Sequence, residues 1–139
     1  MTVGRADYPL AETQPEKIAG KRGKRLTEIT LDAVLSGAVT MEDLRITPDA
    51  LTAQAAIARD AGRPTLALNF ERAAELVDVP QDFIMQVYEL LRPGRSISKQ
   101  QLLDAAATLR DTYGAIRVAD FICEAASAYE ARGLFTYRF

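Results

Sequence analysis

Three helix-start signals follow one another between Thr40 and Pro80, and they restrict this chain to short, separately capped helices. The first, at residues 40–43, resembles a capping box with an aspartate in its third position. The second places the hydroxyl of Thr47 directly before a proline, and the third is the proline at position 64. No two-residue alternation of apolar and polar residues lasts more than a few positions, so little or no sheet is expected. The pattern predicts an all-α chain, arranged as an open up-and-down helical bundle.

Apolar residues at helical spacing predict five longer helices. The helix that begins at Pro48 carries many alanines, which allows a neighbouring helix to approach it closely. The predicted helices run from Pro48 to Ala61, from Pro64 to near Val77, between Pro80 and Pro93, between Ser98 and Gly114, and from about Ala115 to Arg132. Thr30 is also predicted to cap a short helix over residues 31–36, and Ser98 to open its helix with a capping box. The predicted buried face of the last helix consists of Ile116, Ala119, Ile122, Cys123, Ala126 and Tyr129.

Composition divides the chain into an arm, a helical body and a tail. Residues 1–26 are expected to be extended, because Pro9 and Pro15 interrupt them, and they end in a basic run. Two interpretations of this arm stay open: a solvated, partly mobile segment, or an arm that docks on the acidic surface of a partner. Residues 27–133 form the helical body, and residues 134–139 form an aromatic tail.

Eight residues, in the arm, in one turn of the helical body and in the tail, are candidates for a partner interface. In the arm, three neighbouring residues supply an apolar anchor. Arg92 and Arg95 bracket a Pro-Gly turn, where they either meet carboxylates of a partner or cap carbonyls of the preceding helix. The tail either seals its own core or docks on a partner, and we favour the partner. The candidate interface residues are Tyr8, Pro9, Leu10, Arg92, Arg95, Phe135, Tyr137 and Phe139.

The composition argues against most catalytic designs. The chain has no histidine, which removes the commonest metal ligand and every Ser-His or Cys-His pair. It has no Gly-rich phosphate loop, and its formal charge of −2 disfavours a nucleic-acid partner. No apolar run approaches the ~18–20 residues that span a bilayer. One cysteine forms no internal disulfide, and we expect a reducing cytoplasm. We expect no catalytic, cofactor-binding or metal-binding residue in this chain.

Five blocks of sequence carry a resemblance to a known family. In order and spacing they resemble the small subunit of adenosylcobalamin-dependent diol and glycerol dehydratases, across roughly residues 7–132. The blocks carry structural rather than chemical motifs. They lie at residues 7–11, 26–37, 45–47, 69–76 and 91–96.

The resemblance implies a non-catalytic subunit of a lyase. In that family, two copies each of large, medium and small subunits assemble. The large subunit holds the diol and a monovalent cation, and adenosylcobalamin lies between the large and medium subunits. A radical reaction then converts a 1,2-diol or glycerol into an aldehyde and water. The small subunit packs on the large one and stabilises it, without binding the cofactor or the cation.

Both ends of the chain depart from the family pattern. Only six residues precede Asp7, and this short start resembles the glycerol-type enzyme, so association with a protein-shelled microcompartment is not supported. The aromatic end replaces the basic polar tail of other members, which leaves its role open. The main alternative function is a helical adaptor or scaffolding module outside any enzyme. A stand-alone enzyme that uses carboxylates is the weaker alternative.

Overall fold

The computed structural model describes residues 2–136, and this part of the chain is helical. Within it no strand forms, and the β-type pairing is an isolated bridge between Ala19 and Arg25. The all-α prediction is therefore confirmed. The chain divides into two compact units, the first ending at Val77 and the second beginning at Asp78. The α-helices are α1 (Leu10–Thr13), α2 (Leu31–Leu35), α3 (Met41–Leu44), α4 (Pro48–Asp60), α5 (Pro64–Leu76), α6 (Gln81–Leu91), α7 (Lys99–Tyr113) and α8 (Ile116–Ala131).

The first unit is built on the pair of helices α4 and α5. Small side chains form their contact, since Ala55, Ala58 and Ala67 are buried there and Phe70 packs against them. A salt bridge of 2.7 Å between Arg59 Nη1 and a carboxylate oxygen of Glu71 joins the same two helices. The close approach predicted from the alanines of α4 is thus found in this pair.

The second unit is built on the pair α7 and α8, with α6 packed against α7. Gly114 joins the pair with φ of 66°, a left-handed conformation that favours glycine. The Phe83 and Tyr113 rings lie 5.7 Å apart and connect α6 to α7. The Tyr129 hydroxyl donates to the carbonyl oxygen of Leu91, which ties α8 to the end of α6. The buried core of α7 and α8 consists of Leu102, Ala105, Ala106, Leu109, Val118, Ala119, Ile122 and Ala126.

The predicted buried face of α8 needs one correction. Ala119, Ile122 and Ala126 are fully buried as expected, Cys123 and Tyr129 are half-buried, and Ile116 is 55% exposed. Ile116 is the first residue of the helix, directly after the buried Ala115 that serves as its N-cap. At that position the helical period does not yet fix which side chains face the core.

Side-chain caps begin three of the helices where the sequence predicted them. The Thr30 hydroxyl accepts a hydrogen bond of 3.2 Å from the backbone N–H of Ala33. At α4, the Thr47 hydroxyl accepts one of 3.2 Å from the third residue of that helix. At α7, the Ser98 hydroxyl accepts one of 3.4 Å from Gln101. These caps satisfy N–H groups that have no partner inside the helix.

Replacing Thr47 with alanine is expected to lower the free energy of unfolding by about 1 kcal/mol, because α4 loses its N-cap. Thermal or urea unfolding of the isolated chain measures this. Thr52→Ala is the matched control, since Thr52 lies inside the same helix and is exposed. Its hydroxyl donates back to the Pro48 carbonyl oxygen at 2.9 Å and caps no N–H group. Equal losses in the two variants would contradict the capping role.

The N-terminal segment is not the extended arm expected from the sequence. It folds into helix α1 and short 3-10 turns at Arg5–Asp7, Pro15–Lys17 and Leu26–Glu28. Pro15 opens a turn there instead of breaking one, because a proline suits the first position of a helix as well as an extended segment. No helix among residues 2–136 is long and apolar enough to cross a membrane.

The start of this segment is attached to the first unit. The backbone N–H of Arg5 donates to the Asp60 carboxylate at 2.7 Å, at the end of α4. The side chain of Val3 is buried. These contacts hold the first residues against the helical body. The division into an arm of 1–26, a body of 27–133 and a tail of 134–139 stays a prediction.

Candidate partner-binding surfaces

The N-terminal candidates lie at the start of α1. Tyr8 and Pro9 directly precede this helix, and Leu10 is its first residue. Tyr8 is 70% exposed, whereas Pro9 and Leu10 are half-buried. A large aromatic ring that is exposed next to anchored neighbours is typical of a contact residue. Their part in a partner interface stays a prediction.

The two candidate arginines are both exposed and lie around the turn that follows α6. The Arg92 guanidinium donates to both carboxylate oxygens of Glu89, at 3.1 and 3.2 Å. The backbone N–H of Arg92 donates to the Glu89 carbonyl oxygen at 3.2 Å. The Arg92 guanidinium thus pairs with a carboxylate of the preceding helix, α6.

The aromatic tail is described as far as Thr136. The Phe135 ring is half-buried and its centroid lies 6.2 Å from that of Tyr129, on α8. This contact supports the folded-back alternative at the first aromatic residue of the tail. The remaining two candidates, Tyr137 and Phe139, lie outside the described residues.

A larger apolar surface lies in a part of the chain that the candidate residues did not include. Six large apolar side chains between residues 31 and 46 are 47–76% exposed. We call them the 31–46 apolar surface: Leu31, Val34, Leu35, Met41, Leu44 and Ile46. The sequence contained an indication of this surface, because the apolar positions 31, 34 and 35 share one face of a helix. These helices were recognised only by their caps, and a helix of five residues shows too little periodicity to indicate which face is buried.

A buried carboxylate holds the same segment in place. The side chain of Asp43, in α3, is fully buried and accepts hydrogen bonds from the Arg22 guanidinium, one of them 2.8 Å long from Nε to Oδ1. Asp43 also accepts one of 2.8 Å from the backbone N–H of Thr40, which is the capping-box bond predicted from the sequence. Arg22 donates in addition to the Ala38 carbonyl oxygen at 3.2 Å. One guanidinium therefore fixes both α3 and the loop before it.

These bonds shift the titration of Asp43. The hydrogen bond from Arg22 lowers the pKa of Asp43 to about 2, with a further contribution from the Thr40 N–H, and it outweighs burial, which acts in the opposite direction. The same bond raises the pKa of Arg22. At neutral pH the pair is therefore fully ionised.

Acidification is expected to destabilise the chain through Asp43. Its pKa is lower in the folded state than its ordinary value of 3.8, so the unfolded chain binds the proton more readily. The free energy that ionised Asp43 contributes to folding is fully present above about pH 4, and it is lost as the pH falls toward 2. Thermal unfolding midpoints measured from pH 6 to 2 test this. The difference between the wild type and Asp43→Asn should shrink below pH 4, while exposed Asp32→Asn should give a small difference throughout. A wild-type-to-Asp43→Asn difference that does not change with pH would contradict the assignment.

Among residues 2–136, no three histidine, cysteine or carboxylate side chains come together in a group that is able to hold a metal ion. Several exposed carboxylates are instead paired with basic side chains, as in Lys99–Glu130 at 2.7 Å and Arg110–Asp120 at 2.6 Å.

A family model and two curated relatives all relate this chain to dehydratase small subunits. Residues 3–136 match the family described as "Dehydratase small subunit". The chain is 50% identical over 127 residues to the propanediol dehydratase small subunit of Salmonella typhimurium, which covers 91% of this chain and 73% of that protein. It is also 50% identical over 126 residues to the propanediol dehydratase small subunit of Citrobacter freundii, with the same coverage.

Proposed function

Because this chain belongs to the dehydratase small-subunit family, we propose that it is the small subunit of a diol dehydratase. The observation that carries the proposal is the match over residues 3–136, together with 50% identity to two propanediol dehydratase small subunits. The match includes both compact units, so it concerns the whole described fold and not a shared helical hairpin.

The role that we propose for the chain is structural. It would bind the large subunit and stabilise it, within an assembly of two copies each of large, medium and small subunits. Permanent complexes of this kind commonly bury ~2,000 Å² or more. The large exposed apolar side chains of both units, among them Tyr8, Leu35 and Tyr88, supply surface for such contacts.

The reaction that we propose for the assembly converts a 1,2-diol or glycerol into an aldehyde and water. Adenosylcobalamin would supply the radical chemistry, and a monovalent cation would bind with the substrate. Among the described residues no group of histidine, cysteine and carboxylate side chains is able to hold a metal ion, and the buried carboxylate of Asp43 is bonded to Arg22. Both groups would be held by other subunits, and this chain would contribute no catalytic residue.

We propose a cytoplasmic location for this assembly. The single cysteine of the chain, Cys123, is half-buried on α8. A protein of this size with one thiol and no disulfide suits a reducing compartment.

Co-expression with the large and medium subunits tests the proposed assembly. A tag on the large subunit, followed by size-exclusion chromatography, measures whether this chain co-purifies in a fixed ratio. We expect equal molar amounts of the three subunits in one peak. A chain that elutes alone as a monomer would contradict the proposal and would favour a helical adaptor outside the enzyme.

A further inference from the structure

At several positions the segment that contains α2 and α3 reverses the usual distribution of polar and apolar side chains, although its charged residues Asp32, Glu42 and Arg45 are exposed. Its charged residue Asp43 is 2% exposed, whereas Leu35 and Met41 are 76% and 75% exposed. Folded monomers rarely bury a charged side chain, and they do so only when it is paired with another group. They also expose few large apolar groups in clusters. The reversal indicates a segment whose apolar side faces another protein.

The 31–46 apolar surface is held rigidly by the chain itself. The capping bond at Thr30 fixes the start of α2, and the backbone N–H of Val39 donates to the Ala33 carbonyl oxygen at 3.0 Å. Val39 is 4% exposed, so the loop between the two helices is anchored inward. Arg22 binds the end of that loop and α3 together. A surface that is already ordered loses little conformational entropy on binding, which favours tight association.

The exposed apolar area matches one side of a protein interface. Fully burying a large aliphatic side chain removes roughly 100 Å² from water, so six side chains that are half to three-quarters exposed present on the order of 400 Å². A standard interface buries about 800 Å² on each partner, of which somewhat more than half is apolar. The apolar requirement of such an interface is therefore about 450 Å², and this surface comes close to meeting it.

The remaining large exposed apolar residues are more dispersed along the sequence. In the second unit they are Met85, Tyr88, Ile97, Ile116 and Phe121. These five side chains are spread over 37 positions and three segments of the chain, whereas the 31–46 apolar surface uses 16 consecutive positions. Charged residues lie between its apolar positions, among them Asp32 and the pair Glu42–Arg45, whose nearest atoms are 3.4 Å apart. An apolar centre with charged neighbours is the arrangement of a protein interface.

We propose that the 31–46 apolar surface is the docking site for the large subunit of the dehydratase. This inference rests on the proposed function, which supplies the partner, while the segment is chosen by its exposure and its rigidity. The large subunit would present an apolar patch of similar area to α2 and α3. Its main anchors on this chain would be Leu31, Leu35 and Met41, the three most exposed side chains of the surface.

The test compares two matched pairs of leucines in the same unit. The double variant Leu31→Gln with Leu35→Gln removes two anchors of the surface. The control is Leu66→Gln with Leu68→Gln, on α5, where both leucines are 38–40% exposed. Each variant is co-expressed with tagged large and medium subunits, and the molar ratio of this chain in the purified complex is measured. We expect the ratio to fall at least tenfold for the first variant and to stay near that of the wild type for the control.

A second variant separates docking from folding. Met41→Gln with Leu44→Gln changes the α3 side of the same surface, and circular dichroism with thermal unfolding of the isolated chains checks that each variant folds. Loss of co-purification by both surface variants, with unchanged unfolding midpoints, supports the docking site. Wild-type ratios for either folded variant overturn it.

Two further outcomes are distinguishable. If the wild-type chain itself fails to co-purify, the proposed function fails, and the docking site fails with it. If the isolated wild-type chain elutes as a dimer and the Leu31→Gln, Leu35→Gln variant elutes as a monomer, a second copy covers this surface, and the proposal is overturned while the proposed function can still hold.

Discussion

Replacing Ile122 with alanine is expected to lower the free energy of unfolding by about 2–5 kcal/mol, the range for large-to-small changes at buried positions. Ile122 is 0% exposed on α8, and it belongs to the core that α8 forms with α7. Truncation removes apolar contact and leaves a cavity that closely packed helices fill only in part. Urea unfolding of the isolated chain measures the loss.

Ile116→Ala is the matched control for this prediction. It makes the same chemical change on the same helix, at a residue that is 55% exposed. We expect a change within about 0.5 kcal/mol, since surface substitutions away from special features have small effects. Similar losses at positions 116 and 122 would show that the second unit is not packed as described.

Replacing Gly20 with alanine is the second large effect, with an expected loss of about 1–3 kcal/mol from overpacking. A Cβ atom at this position overlaps the backbone carbonyl oxygen of Asp43, and a backbone atom moves aside less readily than the end of a side chain. The substitution therefore pushes the turn that carries Arg22 away from α3. Thermal unfolding at neutral pH measures the loss.

The control for Gly20→Ala is Gly23→Ala, in the same turn. Nothing lies within 4 Å of a Cβ at Gly23, and its φ of 82° makes alanine unfavourable through backbone strain alone. Both variants lose stability, but only Gly20→Ala is expected to weaken the Arg22–Asp43 bonds and so to raise the pKa of Asp43 toward its ordinary value. A pH dependence below pH 4 that stays like the wild type in Gly20→Ala would contradict this geometry.

Local signals in the sequence were sufficient to predict the helices that follow the N-terminal segment. The caps at Thr30, Thr47 and Ser98 were identified because a side-chain oxygen and the N–H group that it accepts from lie only three residues apart. The helical period then located the core of the buried face of α8, at Ala119, Ile122 and Ala126. Such features depend on neighbouring residues, so a single sequence contains them.

Contacts between distant residues were not predictable in the same way. The pairing of Arg22 with Asp43 joins positions 21 residues apart, and Asp43 looked like an ordinary capping residue until the fold placed it inside. The N-terminal segment looked extended because its prolines were interpreted as interruptions, whereas the attachment to Asp60 depends on a contact over 55 positions. The candidate interface residues emphasised the two ends of the chain for the same reason.

The 31–46 apolar surface shows why a partner is needed to explain part of the sequence. Seen as a monomer, Leu31, Leu35 and Met41 are large apolar residues without cover. In the subunit that we propose, they would be the centre of an interface, and the chain would need no catalytic group. A structural role also predicts that Thr47→Ala leaves the ratio of glycerol to propanediol turnover unchanged in the assembled enzyme.

The most direct test of the subunit role is the effect of this chain on dehydratase activity. Large and medium subunits are co-expressed with and without it, and aldehyde formation from 1,2-propanediol is followed over time with added adenosylcobalamin. We predict full and lasting activity only when this chain is present. Equal initial rates and equal lifetimes of activity without it would contradict the account.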